Sequence, residues 1–214
     1  MNFKKFREKT KNLLILNKQT LRNLEKDENS LNLNLKYWIK TGKLLRLKKG
    51  VYITAEKWQK EENKDDYLEY LANRLLSPSY VSLEYVLSRY QLLTEATVNL
   101  TSVSTKIGRV FSSDLAGFKY YSISEKLFTG YELKKFKNAD IFIAGKEKAL
   151  FDFLYFRFRR KRADLDSIEN LRINWENISP KELERAQKFC SLTNNKNIKE
   201  AFEIIKNKII NQYA

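Results

Sequence analysis

Residues 30–53 read SLNLNLKYWIKTGKLLRLKKGVYI, and several kinds of local order succeed one another within them. Wound at about 100° per residue, Leu31, Leu35, Trp38 and Ile39 fall on one face, the spacing of a core-facing helix. Ser30 stands where an N-cap is expected, and Gly42 where a helix ends by turning left-handed. Leu45 and Leu47 then alternate with Arg46 and Lys48, the two-residue period of a strand with one buried face. Lys49-Gly50 makes a tip, and Val51, Tyr52 and Ile53 form the returning strand. A helix followed by a basic hairpin is the outline of a winged helix, which lays one helix in the DNA major groove and a loop on the backbone.

The opposite helix face carries Leu33, Lys36, Tyr37 and Lys40, with Asn32 and Asn34 on its flanks. Outward Leu and Tyr side chains suit a face that meets base edges, where apolar groups touch thymine methyls and Asn pairs with adenine. The alternative is that Leu33 and Tyr37 support a neighbouring element of the protein itself. The expected DNA-contacting set is therefore Asn32, Asn34, Lys36, Tyr37, Lys40, Lys43, Arg46, Lys48 and Lys49. Upstream, Phe3 and Phe6, with Leu13 and Leu14, mark a first helix. Asn17 is placed to cap a second that buries Leu21 and Leu24 and ends in the Lys26–Asn29 turn.

Charge is concentrated in the same region. Residues 1–60 hold 16 Lys/Arg against 5 Asp/Glu, a surplus of eleven, whereas the rest holds 25 against 21, a surplus of four. An even spread of solvated charge would not produce that asymmetry; phosphate neutralisation would. An apolar content of 43% supplies a packed core and argues against disorder. One cysteine, Cys190, excludes an internal disulfide framework and reads as a small apolar residue in a helix. Histidine is absent, which removes the commonest general base and metal ligand. The reading is a non-enzyme with no catalytic residues, cofactor or metal. Only a short apolar run, Leu13–Leu16, follows the charged start, and no window is long enough to span a bilayer. A cytoplasmic protein without a membrane partner is expected.

The fold class expected is α+β: a winged helix-turn-helix over 1–55, a polar segment over 56–66, and a mixed domain over 67–214. The polar segment reads as a linker or as the start of the next helix, with Trp58 packing the hairpin against the second domain. The mixed domain combines a small, mostly antiparallel sheet with a helical C-terminal part. Its expected elements are a helix over 65–76, a helix capped by Ser82 and ending at Tyr90, and strands within 97–105, 109–113, 117–123 and 141–144. Residues 146–158, apolar almost all round, predict a buried helix. Arg157, Arg159, Arg160, Lys161 and Arg162 come at its end; they either offset the helix dipole or form a second phosphate-contacting patch. Ser179-Pro180-Lys181-Glu182 is a capping box, and Ile198, Ala201, Phe202, Ile205 and Ile209 stripe a last helix.

Two further runs, Ser79-Tyr80-Val81-Ser82-Leu83-Glu84-Tyr85-Val86-Leu87 and Ile143-Ala144-Gly145-Lys146-Glu147-Lys148-Ala149-Leu150-Phe151-Asp152, stand some fifty residues apart. Between them lie Gly117-Phe118-Lys119-Tyr120-Tyr121 and Leu127-Phe128-Thr129-Gly130-Tyr131. With the Gly42 to Tyr52 hairpin, this order resembles the AbiEi family of antitoxins from bacterial type IV toxin–antitoxin operons, over about residues 15–160. Where that family usually has proline, this chain has Gly145. The resemblance implies a winged helix that binds operon promoter repeats in double-stranded DNA and represses transcription. It also implies a C-terminal domain that counters a cognate nucleotidyltransferase-like toxin, directly or indirectly. Glu84, Lys146, Glu147, Lys148 and Asp152 match the family's recurrent motifs. They serve either that activity or the domain's own packing through ion pairs.

Two other readings stay open. Asp140 and Glu147-Lys148 loosely suggest a Mg²⁺-dependent nuclease, although acid and lysine are adjacent rather than separated by one residue. A winged helix can also serve as a protein-binding module.

Overall fold

The structure is a computed structural model that describes residues 1–93, 95 and 97–213, with side chains described as far as Ile209. The chain opens with α1 (Phe3–Thr10), β1 (Leu16–Asn17), α2 (Lys18–Leu24) and α3 (Glu28–Lys40). A hairpin of β2 (Leu44–Lys48) and β3 (Val51–Thr54) comes next. β3 is the central strand of a three-stranded sheet, antiparallel to both β1 and β2. Phe6, Leu16, Leu21, Leu31, Leu35, Trp38, Leu44 and Tyr52 close a small core, with Phe3, Leu24 and Ile39 at its rim. This uses the α3 face expected from the sequence. Phe3, Phe6 and Trp38 stack within it at centroid separations of 4.5 to 5.9 Å, and such ring pairs add to simple area burial.

Several local expectations are corrected. α3 starts earlier than Ser30, because Asp27 is the N-cap: its carboxylate accepts from the amides of Asn29 and Ser30 and from the Ser30 hydroxyl at 2.5 Å. A carboxylate at that end also meets the positive pole of the helix. Asn17 holds the N-cap position of α2, but its side chain makes no capping bond. α1 ends before Leu13 and Leu14, and the Leu14 carbonyl accepts instead from the Tyr67 hydroxyl.

In β2 alternation holds as far as Leu47, so Leu44 and Leu47, three residues apart, face opposite sides. The register then slips between Arg46 and Lys48, a bulge that sets Lys48 opposite Val51 and on the face of Leu47. Leu44 is buried in the small core and Leu47 in the large one, with Leu45 packed half-buried against the latter. Val51 and Ile53 join the large core as well. The polar segment is helical on both sides of a short break: α4 (Ala55–Lys60) is capped by Thr54 and α5 (Lys64–Leu75) by Asn63. Trp58 packs on Tyr67 with ring centroids 6.1 Å apart, and Lys57 Nζ donates to the carbonyls of Lys11 and Leu13.

The remainder is built on a six-stranded sheet. In chain order its strands are β4 (Ser79–Val81), β5 (Asn99–Ser104), β6 (Arg109–Ser112), β7 (Gly117–Ser122), β8 (Tyr131–Phe136) and β9 (Ala139–Ala144). In space they run β6-β7-β5-β4-β9-β8. β5 with β7 and β4 with β9 are parallel, the other neighbours antiparallel, so the sheet is mixed and larger than expected. β8 escapes sequence reading because it is an edge strand whose Glu132, Lys134 and Lys135 look like a polar loop, a common way to blunt an edge.

α5 covers one face, where the Tyr120 hydroxyl donates to the Ala72 carbonyl at 2.7 Å. α6 (Glu84–Arg89) and α7 (Lys146–Phe158) cover the other, and α8 (Leu165–Glu169), α9 (Pro180–Lys188) and α10 (Lys196–Tyr213) pack behind α7. The fold is therefore α+β with a helical C-terminal part. The Ser179–Glu182 capping box and the apolar stripe of α10 form as read. Ser82 does not cap α6; that position falls to Leu83, at φ 65°, while the Ser82 hydroxyl turns inward. Cys190 lies in a 3-10 turn rather than an α-helix, and burial pushes its thiol up to about 12. Among the described residues, no helix is long and apolar enough to cross a membrane.

Candidate nucleic-acid interface

The outward face of α3 is the most unusual surface of the N-terminal part. Leu33 is 68% exposed and Tyr37 57% exposed, with Lys36 and Lys40 exposed among them. Lys43, just beyond the Gly42 turn, sets its ammonium 5.7 Å from the Tyr37 ring centroid and 5.3 Å from that of Phe3. Stacking on two ring faces holds the charge at the end of α3 without neutralising it. Phe3 is the participant that sequence reading assigned only to packing. Asn32 is half-buried on the flank, whereas Asn34 donates to the Met1 carbonyl at 3.4 Å and so ties down the N-terminus. Lys36, Lys40, Lys43, Arg46 and Lys49 are exposed and make no salt bridge among the described residues.

Lys48 departs from the expected set. Its Nζ donates to the Leu75 carbonyl at the end of α5 and lies 5.0 Å from the Phe111 ring centroid on β6. Burial, helped by the nearby Arg109 and Lys106, lowers its pKa. The bulge at Leu47 causes this: it swings the next side chain toward the large sheet, while Lys49 keeps its outward position. Two further cations, Lys18 and Arg22, reach Glu28 at 2.9 Å each and hold its carboxyl at about 2, so the first turn of α3 carries matched charge.

Of the motif residues of the second part, Lys148 and Asp152 meet inside it. β4 and β9 are neighbours, and α7 lies across them. Asp152 on α7 accepts from the Tyr80 hydroxyl at 2.9 Å, the Ser82 hydroxyl at 2.8 Å and Lys148 Nζ at 2.6 Å. Lys148 also donates to the Leu127 carbonyl at 3.0 Å, and the rings of Tyr80, Phe151 and Phe189 surround it. Both charges are fully enclosed; burial raises the pKa of Asp152, against the pull of Lys148, Ser82 and Tyr80. Lys146 pairs with Glu182 at 2.8 Å, and Glu147 with Arg185 at 2.6 Å, which staples α7 to α9. Burial acts to raise Glu182, but Lys146 together with the Ser179 amide and hydroxyl outweighs it and brings that carboxyl to about 2. Glu84 joins none of these pairs.

The basic run after α7 is not one patch. Arg159 lies over Phe156 and Tyr155, Arg162 pairs with Glu200 at 2.8 Å, and Arg157 leans on Phe153, while Arg160 and Lys161 are exposed. The suggested nuclease grouping is likewise not assembled. Asp140 pairs with Lys135 across the β8–β9 hairpin, Glu147 faces α9 and Lys148 is enclosed with Asp152. Among the described residues no three His, Cys, Asp or Glu side chains are grouped to hold a metal ion. No protein-family model and no curated protein matches the chain.

Proposed function

We propose that the protein is a cytoplasmic DNA-binding antitoxin. In this reading residues 1–55 form a winged helix, α3 enters the major groove of repeats in the protein's own operon promoter, and occupancy represses transcription. The rest of the chain counters a nucleotidyltransferase-like toxin. The observation that carries the DNA reading is the exposed combination of Leu33, Lys36, Tyr37, Lys40 and Lys43 on one helix and its end, its cations without a salt bridge among the described residues, with Arg46 and Lys49 exposed on the adjoining hairpin. The element order α1-β1-α2-α3-β2-β3, with β3 central, supports it.

The antitoxin reading rests on the resemblance of the two motif runs. It gains support from their meeting around Asp152, and from Gly145 standing at φ −69°, the angle a proline imposes. Lys146, Glu147, Lys148 and Asp152 then act by holding the domain together, not by touching the toxin.

The test is a mobility shift of the full chain on its own upstream DNA across a salt series. Affinity should fall steeply, by about 0.9 in log–log slope for each phosphate neutralised. A folded protein that shifts no duplex at low salt overturns the DNA reading. Co-expression with a nucleotidyltransferase-like toxin gene from the same operon tests the second half; the absence of such a gene or unrelieved toxicity overturns it. Exposed Leu33 also favours a second reading, in which this face docks a protein. A partner retained at high salt while duplex DNA is not bound would single that reading out.

A further inference from the structure

A cavity of about 510 Å³ opens on the α6–α7 side of the six-stranded sheet. Its floor is the parallel pair β5 and β7, where Thr101 lies beside Lys119 in register and Tyr121 stands two residues further on. Glu84, the first residue of α6, forms one wall, and Phe153 and Arg157 of α7 form another. Its volume is in the range of small-molecule sites.

Glu84 is half-buried and differs from the enclosed acids Glu69 and Asp152. Glu69 is held by Arg89 and Lys134, and Asp152 by Lys148, Tyr80 and Ser82, but Glu84 Oε2 is buried with no hydrogen-bond partner among the described residues. A buried acceptor left unsatisfied costs folding free energy, so its position calls for a donor from outside the chain. Around it stand two cations without a salt bridge among the described residues. Lys119 has its pKa raised by a hydrogen bond with Tyr121 and by the charge of Glu84. Arg157 packs 5.9 Å from the Phe153 ring centroid. The walls thus offer one buried acceptor, two cations and the rings of Tyr121 and Phe153.

We propose that this cavity binds a nucleoside monophosphate, with N–H groups of the base donating to Glu84 and the phosphate held by Lys119 and Arg157. A ring nitrogen donor, an anionic group and a flat apolar body are the three features these walls match. A free amino acid offers an ammonium and a carboxylate but fills only a fraction of the volume. Among the bases guanine presents two adjacent N–H donors to a carboxylate, so GMP is the favoured ligand. This site is independent of the DNA-binding face.

Calorimetric titration of the full chain tests it, with GMP, AMP, CMP, UMP, guanosine and inorganic phosphate as separate probes. GMP should bind saturably and raise the melting midpoint, with guanosine and phosphate at least tenfold weaker. Glu84→Gln should weaken GMP at least tenfold while leaving the midpoint of the free protein unchanged or higher. Arg157→Ala should weaken GMP and phosphate but not guanosine. No saturable GMP binding at millimolar concentration overturns the proposal. So does phosphate binding as tightly as GMP, which marks a bare anion site, or Glu84→Gln binding GMP as tightly as the parent.

Discussion

Charge is used in opposite ways at the two ends of this molecule. On the α3–hairpin surface, Lys36, Lys40, Arg46 and Lys49 stand exposed and unpaired among the described residues, beside a Leu and a Tyr that contribute nothing to the core. Under α7, Lys148 and Asp152 are shut away from water and satisfied by each other, by two hydroxyls and by a carbonyl. An exposed cation stabilises a fold very little and is available to a partner, whereas an enclosed ion pair serves the fold and is hidden from every partner. Motif residues and functional surface therefore need not coincide. Here Lys148 and Asp152, two of the motif residues, lie inside, and the exposed cations lie elsewhere.

The contrast breaks first at Asp152. Asp152→Ala leaves an uncompensated buried ammonium and should cost about 3–5 kcal/mol in urea denaturation, while Lys148→Met with Asp152→Leu should recover only part of the loss, since the Tyr80 and Ser82 hydroxyls still lack their acceptor. A cost below about 1 kcal/mol would mean that the enclosed network does not hold the domain together. On the opposite surface, Asn32→Ala should leave the melting midpoint unchanged. It should narrow the discrimination between operator and scrambled duplex by about 1–3 kcal/mol in competition binding. Equal loss on both duplexes would remove Asn32 from base readout.

Glu182 tests the intermediate case of a half-buried pair. Its folded carboxyl sits at about 2, below the ordinary value near 4.3. Its contribution, about 1 kcal/mol for a pair of this exposure, is complete above pH ~4.3 and is lost as pH falls toward about 2. Glu182→Gln should flatten that part of the acid-stability curve; an unchanged curve would show that the Lys146 pair adds nothing. The smallest effect belongs to the tip. Lys49→Ala should lower the log–log salt slope of DNA binding by about 0.9 with no change in stability, whereas Lys48→Ala should lower the melting midpoint and leave the slope nearly intact. Identical behaviour of the two lysines would erase the distinction that the β2 bulge draws between them.

Periodicity makes much of this fold visible in the sequence. The α3 stripe, the largely buried α7, the Ser179 capping box and the α10 stripe are legible because each depends on local spacing alone. The features that escape depend on tertiary partners. Ser82 looks like a cap until Asp152, seventy residues away, claims its hydroxyl. Lys48 looks like its neighbour Lys49 until a one-residue slip directs it at Leu75 and Phe111. β8 resembles a loop because its outward side chains are charged, and only pairing with β9 reveals it. Glu84, by contrast, is marked in the sequence by motif alone; its missing partner emerges only from the surrounding walls.

Plain alternation along β2 makes the hairpin a party wall. Leu44 faces one interior and Leu47 the other, and Val51 and Ile53 are committed to the second as well. Residues 1–55 are thus a poor candidate for excision, because cutting them away strips the larger interior of part of its lining. Whatever α3 holds is therefore carried at a set angle to the six-stranded sheet, because the strands beside it line both interiors.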